Sequence, residues 1–147
     1  MSGENEAVVR GALEILGVRP KESARYAAEF WDADGDYYPV RKFPEARPCH
    51  GVKETARFLG DYAEAWQYEY AVKEVIEVGD DRVLACAALR AEGRGSGMKL
   101  EGDTYHSIWL RHRRILRQED HLTLRGALRA LGLEGGTLEA AGLRKRP

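Results

Sequence analysis

The chain has 147 residues, of which 44% are hydrophobic and 32% are charged, a balance typical of one globular domain with a well-solvated surface. Its 23 Lys and Arg residues against 24 Asp and Glu residues leave a net charge of −1, so no overall field attracts nucleic acid or an anionic membrane. The two cysteines, Cys49 and Cys86, stand far apart without metal-ligand spacing, and no stretch approaches the roughly 20 apolar residues that cross a bilayer.

The N-terminal part of the chain predicts two amphipathic helices and a short strand. Apolar residues recur at helical spacing over residues 5–16. Pro20 fits an early helical position, and a second apolar face continues to Trp31 before the acidic stretch at 32–35. Residues 36–40 are aromatic and β-branched around a proline, which indicates a short strand at a sheet edge.

The rest of the chain changes from one helix to a run of strands. After a proline-rich loop, residues 51–66 carry apolar side chains at helical spacing and predict a third helix that lies across the sheet. From residue 68 the period changes to two, which predicts four strands and then a short helix: 68–78, 82–90, 98–110, 115–122 and 124–131. Because strands joined by short turns pair antiparallel, the predicted class is α+β rather than a parallel α/β sheet.

We expect a single domain over residues 1–147, because no internal repeat or linker divides the chain. Its core spans about residues 4–133, and the Gly- and charge-rich residues 134–147 form a polar, partly flexible tail. The acidic N-terminus lacks the basic and apolar regions of a secretory signal, so we expect a cytoplasmic location.

The order of these elements and several short stretches resemble the SnoaL-like branch of the nuclear-transport-factor-2-like superfamily. The resemblance covers nearly the whole chain and depends on His106 before an aromatic and aliphatic strand end and on six stretches: 5–16, 30–34, 51–59, 78–83, 93–97 and 127–133. It implies an α+β barrel, in which a strongly curved antiparallel sheet and three helices form a cone around a cavity, with a short helix at the C-terminus. It also implies a small hydrophobic molecule as the ligand and a homodimer through the outer face of the sheet.

The superfamily does not fix a reaction. It holds polyketide cyclases, ketosteroid isomerases, epoxide hydrolases, dehydratases and members without chemistry, so the fold alone does not select a function. Two stretches also depart from its usual pattern. Residues 112–114 lack the glycine of the usual turn, and we expect a wider turn there. The last strand ends in Asp120-His121 where members commonly carry a Glu-Tyr-like pair.

His106 is the first candidate for chemistry. Alternation places it on the same face of residues 98–110 as Thr104 and Ile108, so we expect its imidazole to point into the cavity. An imidazole on an apolar face can act as a general acid or base near neutral pH. The resemblance also implies a cavity-facing histidine at this point in catalytic cyclases. The alternative is a structural histidine that only hydrogen-bonds within the sheet or to a buried carboxylate.

A carboxylate on the final strand is the second candidate. Alternation puts Glu119 on one face and Asp120 on the other, and the apolar content leaves open which of them faces inward. The resemblance implies that such a carboxylate removes a proton next to a carbonyl group. An apolar cone is expected to raise its pKa toward neutrality, and a nearby His or Tyr to donate to the developing enolate oxygen. The alternative is surface pairing with Arg111, Arg114 or Arg117.

Large side chains supply candidate ligand contacts. They are aromatic residues at helical or strand spacing and one histidine of the last strand: Trp31, Tyr38, Phe58, Tyr62, Trp66 and His121. The alternative for each is core packing. No residues have metal-ligand or phosphate-loop spacing, so we expect neither a metal nor a cofactor. Two functions stay open: a cofactor-independent cyclase or isomerase acting on a hydrophobic carbonyl compound, and a non-catalytic binding or dimerisation module.

Overall fold

The computed structural model describes residues 3–18, 29–40 and 46–143. Across these ranges, three helices pack against one six-stranded sheet, which confirms the predicted α+β class. The elements are α1 (Glu4–Val18), β1 (Trp31–Tyr38), β2 (Cys49–His50), α2 (Val52–Ala65), β3 (Trp66–Val78), β4 (Arg82–Gly93), β5 (Lys99–Arg111), β6 (Arg114–His121) and α3 (Leu124–Ala130). None of the helices in the described ranges has the length and apolar character needed to cross a membrane.

In the sheet, the first strand of the chain pairs with the last one. Its strand order is β2-β1-β6-β5-β4-β3, and strands β3 to β6 pair antiparallel in sequence order, as predicted. β1 pairs antiparallel with β2 but parallel with β6, so the sheet is mixed. This parallel contact places Tyr37 of β1 opposite Gln118 of β6.

β1 begins earlier than the sequence predicts. The assignment of Trp31 to a helical face is wrong, because Trp31 pairs with Ile115 of β6 and is buried. The register shifts just after Trp31, and Gly35 lies there without room for a side chain: a Cβ would stand 2.9 Å from the Ile115 carbonyl oxygen. Residues 29–30 are helical, and the rest of the predicted second helix lies outside the described residues.

The turn between β5 and β6 is tighter than predicted. Arg111 pairs with Arg114, so only His112 and Arg113 form the loop. Both have positive φ angles, 51° and 62°, as in the two-residue hairpin turns that favour Asn-Gly. The expected wider turn is wrong because the strand pairing on each side holds two non-glycine residues in the left-handed region.

Different helices cover the two faces of the sheet. On the face that we call inner, α1 and α2 pack over a buried cluster that includes Leu13, Phe58 and Ile108. On the outer face, α3 packs with Leu128 over Leu84 of β4. The described part of the expected tail, residues 134–143, continues this outer layer, since Leu138 is buried in the same cluster.

Candidate functional site

One irregularity in β6 decides which carboxylate faces inward. The β5–β6 register shifts by one residue at Leu116. A bulge of this kind reverses the alternation of side chains beyond it, so Ile115 and Gln118 share the inner face. Asp120 therefore faces inward and Glu119 faces outward, which resolves the choice that alternation left open.

A cavity of about 90 Å³ lies between the inner face and the helices α1 and α2. One part of its lining is apolar or aromatic: Ala12, Leu13, Trp31, Pro39, Val40, Phe58, Leu59, Tyr62, Tyr68 and Leu89. The other part is polar: Tyr37, Tyr70, Thr104, His106, Gln118 and Asp120. Because a water molecule needs roughly 10–15 Å³ measured in this way, the cavity has room for a small organic molecule.

His106 lies in the polar part with both ring nitrogens hydrogen-bonded. Its Nδ1 is 2.6 Å from Asp120 Oδ1, and its Nε2 is 2.7 Å from the Tyr70 hydroxyl oxygen. The register of β5 and β6 places His106 directly opposite Asp120. The two side chains are 6% and 11% exposed, so bulk water screens their attraction weakly.

Asp120 accepts hydrogen bonds on both carboxylate oxygens. Oδ1 accepts from Gln118 Nε2 at 3.0 Å in addition to its contact with His106, and Oδ2 accepts from the Tyr37 hydroxyl. Burial raises the pKa of Asp120, but the positive charge of His106 and the hydrogen bonds from all three neighbours outweigh burial and lower it. The expectation of a raised carboxylate pKa is therefore wrong here. Asp120 is ionised at neutral pH and is suited to orient the imidazole.

Tyr37 and Tyr70 supply neutral hydroxyl groups to the same part of the cavity. Burial raises the pKa of both phenols well above the usual range, and the negative charge of Asp120 raises each pKa further. Both therefore stay protonated near neutral pH. Tyr70, His106, Asp120 and Tyr37 form a continuous chain of hydrogen bonds across β3, β5, β6 and β1.

The structure brings part of the predicted site together around the cavity. The predicted residues among its lining are His106, Asp120, Trp31, Phe58 and Tyr62. Tyr37 and Phe58 make an aromatic contact at 5.8 Å between ring centroids, and Phe58 contacts Tyr62 at 6.3 Å. These rings form one continuous aromatic wall.

Four other predicted residues do not line the cavity. Glu119 pairs with Arg117 on the outer face at 2.8 Å, as in the surface-pairing alternative. Tyr38 lies under the same guanidinium, 4.5 Å from ring centroid to Cζ. His121 Nε2 is 3.6 Å from Glu119 Oε1, and burial lowers the pKa of His121. Trp66 stacks on a ring of the aromatic wall at 6.0 Å and supports that wall from behind.

Tyr37 and Gln118 of the polar part were not assigned a role from the sequence. Tyr37 reaches Asp120 only through the parallel pairing of β1 with β6, which no local pattern signals. Gln118 shares the face of Asp120, so alternation carried a signal for it. Over the described ranges, no group of three or more His, Cys, Asp and Glu residues is arranged to hold a metal ion.

Solved structures of low sequence identity share this fold. One is an NTF2-like protein of unknown function from Burkholderia pseudomallei, with 18% identity over 87% of this chain and 97% of that chain, at a TM-score of 0.70. A protein from Jannaschia sp. CCS1 assigned as a SnoaL-like polyketide cyclase has 14% identity over 80% of this chain and 84% of that chain, at a TM-score of 0.68. TerC, co-crystallised with polyporic acid, has 19% identity over 82% of this chain and 92% of that chain, at a TM-score of 0.67.

A scan against protein-family models and a search of curated proteins find no match. At identities this low, structural likeness establishes the fold alone. The chain therefore has the cone-shaped α+β fold of the nuclear-transport-factor-2-like superfamily, the fold that the SnoaL-like proteins share.

Proposed function

We propose that the cavity binds a small, largely apolar carbonyl compound and that His106 and Asp120 transfer a proton next to the carbonyl group without a cofactor. The observation that carries this proposal is the 2.6 Å contact between His106 Nδ1 and Asp120 Oδ1 beside the cavity. A carboxylate bound to Nδ1–H fixes the tautomer, so Nε2 carries the lone pair that accepts a proton. The lowered pKa of Asp120 supports this arrangement, because the carboxylate stays charged and stabilises the imidazolium that forms.

The remaining lining supports the same chemistry. The apolar and aromatic part of the lining accepts the body of a hydrophobic ligand, and none of the lining residues that the structure describes is a lysine or arginine that would neutralise an anion. The neutral hydroxyl of Tyr70 is a donor for the negative oxygen that develops when a carbonyl compound loses an α-proton. A neutral ketone fits this distribution better than a carboxylic acid.

Two of the structural neighbours agree with a small-molecule function. The Jannaschia protein is assigned as a polyketide cyclase, and TerC was crystallised with polyporic acid. Because their sequence identity to this chain is low, they support only ligand binding in this fold. The proposed reaction rests on the residues of this chain.

A non-catalytic binding module is the second candidate. The observation that favours it is that both nitrogens of His106 and both oxygens of Asp120 already have partners within the protein. In that function the polar cluster holds the cavity in shape, and the ligand contacts mainly the aromatic wall.

The two candidates separate in one experiment with acetophenone, a flat neutral ketone with exchangeable α-protons. Its methyl protons are followed by NMR in D2O with the wild-type protein and with His106→Gln, Asp120→Asn and Glu119→Gln. We expect the first two variants to lose about 100-fold or more of the exchange rate, the usual contribution of a general base. Glu119→Gln is the matched comparison, because that carboxylate lies on the outer face.

Unchanged exchange in both His106→Gln and Asp120→Asn would remove the acid–base proposal. Saturable binding of acetophenone by a wild-type protein that shows no exchange would favour the binding module. Circular dichroism of each variant establishes that it is folded before the rates are compared.

We also propose that the protein is a cytoplasmic homodimer that associates through the outer face of the sheet. The part of that face beyond α3 carries ion pairs between neighbouring strands, Lys73 with Asp103 at 3.0 Å and Arg90 with Glu101 at 3.6 Å. Light scattering after size-exclusion chromatography should give twice the mass of one chain. A monomer at micromolar concentration would contradict the proposal.

A further inference from the structure

The amide oxygen of Gln118 is a polar atom of the cavity lining without a donor among the described residues. Gln118 lies on β6, its side chain lines the cavity, and the residue is only 5% exposed. Its Nε2 donates to Asp120 Oδ1 at 3.0 Å, whereas no described residue donates to its Oε1. A buried amide oxygen without a donor costs free energy, and most such oxygens in folded proteins have one. A ligand in the cavity can supply the missing donor.

The charge of Asp120 determines which way the amide of Gln118 points. An ionised carboxylate accepts hydrogen bonds and donates none, so the amide turns its nitrogen toward Asp120 and its oxygen away from it. Within the described ranges, the fully enclosed side-chain atoms that lack a partner belong to His121 and Glu139, so the Gln118 oxygen keeps contact with open space. The open space beside Gln118 is the cavity.

This acceptor favours one kind of substituent on the ligand. A hydroxyl group can donate to it, whereas an ether or carbonyl oxygen would set two lone pairs against each other. An ammonium group can also donate, but its charge would lose hydration in a largely apolar lining. A neutral hydroxyl group is therefore the substituent that suits the Gln118 oxygen.

The amide of Gln118 lies close to the proposed reacting groups. Its Nε2 is 3.4 Å from His106 Nδ1, which places the amide oxygen within about 6 Å of that nitrogen. One substituted aromatic ring spans such a distance. The hydroxyl group that meets Gln118 and the carbonyl group that meets His106 can thus belong to one small molecule.

We propose that Gln118 is a specificity-determining residue whose amide oxygen accepts a hydrogen bond from a hydroxyl group of the ligand, so that the protein selects hydroxyl-bearing ketones over their ethers. This inference rests on the proposed function, because it takes the bound molecule to be a carbonyl compound. The two ends of the amide then have separate partners, with Asp120 at the nitrogen and the ligand at the oxygen.

The test measures dissociation constants by calorimetry for 3′- and 4′-hydroxyacetophenone, their methoxy counterparts and acetophenone itself. With the wild-type protein, we expect at least one hydroxy isomer to bind about 10-fold more tightly than acetophenone, and its methoxy counterpart to lack this gain. Gln118→Met removes the amide and keeps the length of the side chain, so it should bind the hydroxy isomer and acetophenone almost equally. Loss of the donor to Asp120 affects both ligands alike and cancels in the ratio.

Tyr37→Phe is the matched control, because it also removes a donor to Asp120 but keeps the amide oxygen of Gln118. It should retain the preference for the hydroxy isomer. A preference lost equally in Tyr37→Phe and Gln118→Met would trace the selectivity to Asp120 and overturn the inference. A second measurement needs no variant: the side-chain amide NMR signals of Gln118 should shift with the hydroxy isomer and much less with its methoxy counterpart. Equal shifts would contradict the proposed contact.

The remaining outcomes separate this inference from the proposed function. Equal affinity of the wild-type protein for the hydroxy isomers and acetophenone would overturn the inference and leave the proton transfer intact. A preference that survives in Gln118→Met would overturn it as well, since another group would then hold the hydroxyl. Tight binding of a hydroxy isomer whose α-protons do not exchange in D2O would remove the acid–base function and leave the Gln118 contact standing. Failure of every ketone to bind would overturn both.

Discussion

His106 and Asp120 stand directly opposite each other in the register of β5 and β6, with the imidazole Nδ1 2.6 Å from a carboxylate oxygen. Because adjacent strands fix both backbones, the contact requires only that each side chain adopt one rotamer. The pair is thus held in place before any ligand enters. Such preorganisation is what a proton-transferring group needs, since little reorganisation then accompanies the reaction.

The buried Asp120 carboxylate should make the protein sensitive to acid. Its pKa is lowered in the folded state from about 3.9 in the unfolded chain, so its contribution to stability is present above about pH 4 and is lost as the pH falls through the folded pKa. Urea unfolding between pH 3 and pH 7 should show a free energy of unfolding that falls toward low pH. Asp120→Asn should show a weaker dependence over the same range. An equal slope in the two proteins would contradict this assignment.

Asp120→Asn should also reduce stability at neutral pH. The substitution leaves the donors of His106, Tyr37 and Gln118 facing a neutral amide, and breaking a buried pair in this way costs about 3 kcal/mol. Glu119→Gln provides the comparison, because its partly exposed pair with Arg117 should contribute about 0–1 kcal/mol. Equal losses of unfolding free energy in the two variants, measured with urea at pH 7, would show that the buried pair of His106 and Asp120 stabilises the protein no more than the surface pair does.

Tyr37→Phe should affect Asp120 without enlarging the cavity much. The variant removes the hydroxyl that donates to Oδ2 and leaves a buried acceptor without its partner, at a cost of about 1–3 kcal/mol. Loss of this donor should raise the folded-state pKa of Asp120 toward its unfolded value, so the acid-induced fall in stability should be smaller and should be complete at a higher pH than in the wild-type protein. Urea unfolding measured as a function of pH reports both the loss of stability and the change in the Asp120 pKa. If the pH at the midpoint of the acid-induced fall is the same in the variant and the wild-type protein, the predicted change in pKa is refuted.

The hairpin turn at His112-Arg113 should be a site where stability can be gained. Both residues hold positive φ angles, which cost non-glycine residues roughly 1–2 kcal/mol each. The double variant His112→Asn with Arg113→Gly should raise the free energy of unfolding by about 1 kcal/mol or more. Arg113→Ala is the control, since it removes the exposed ion pair with Glu4 and keeps the strained backbone. A double variant no more stable than the wild-type protein would disprove strain at this turn.

Gly35 should tolerate no side chain. A Cβ there would stand 2.9 Å from the Ile115 carbonyl oxygen and 2.9 Å from Trp31 Cε3, and a backbone carbonyl in a sheet cannot move away freely. Gly35→Ala should therefore destabilise the protein by about 1–3 kcal/mol. Gly95→Ala is the matched control, because open space surrounds that position and the change should stay within about 0.5 kcal/mol. Similar melting temperatures for the two variants would contradict the close approach of β1 and β6.

The sequence predicted correctly the features that depend on residues close together in the chain. The change of period after residue 67 identified β3 to β6 and their antiparallel order, and alternation along β5 placed His106 on the inner face. These features depend on neighbours in the chain and on one turn at a time. They carry a signal in any single sequence.

The features that the sequence did not predict depend on long-range pairing. Trp31 reads as part of a helical face, and only its contact with Ile115 makes it the first residue of a strand. The bulge at Leu116 reverses the faces of β6, and no composition signal marks it, so the choice between Glu119 and Asp120 stayed open. The lowered pKa of Asp120 follows from the same cause, because its donors come from three different strands.

The parallel contact between β1 and β6 has a consequence for how the protein matures. Tyr37 and its carboxylate partner are 83 residues apart in the chain, and they can meet only when β6 is available to pair with β1. The chain must therefore be synthesised through β6 before this end of the cavity can form. A fragment that ends before β6 would leave β1 without the strand with which it pairs in parallel, and His106 without the carboxylate of Asp120.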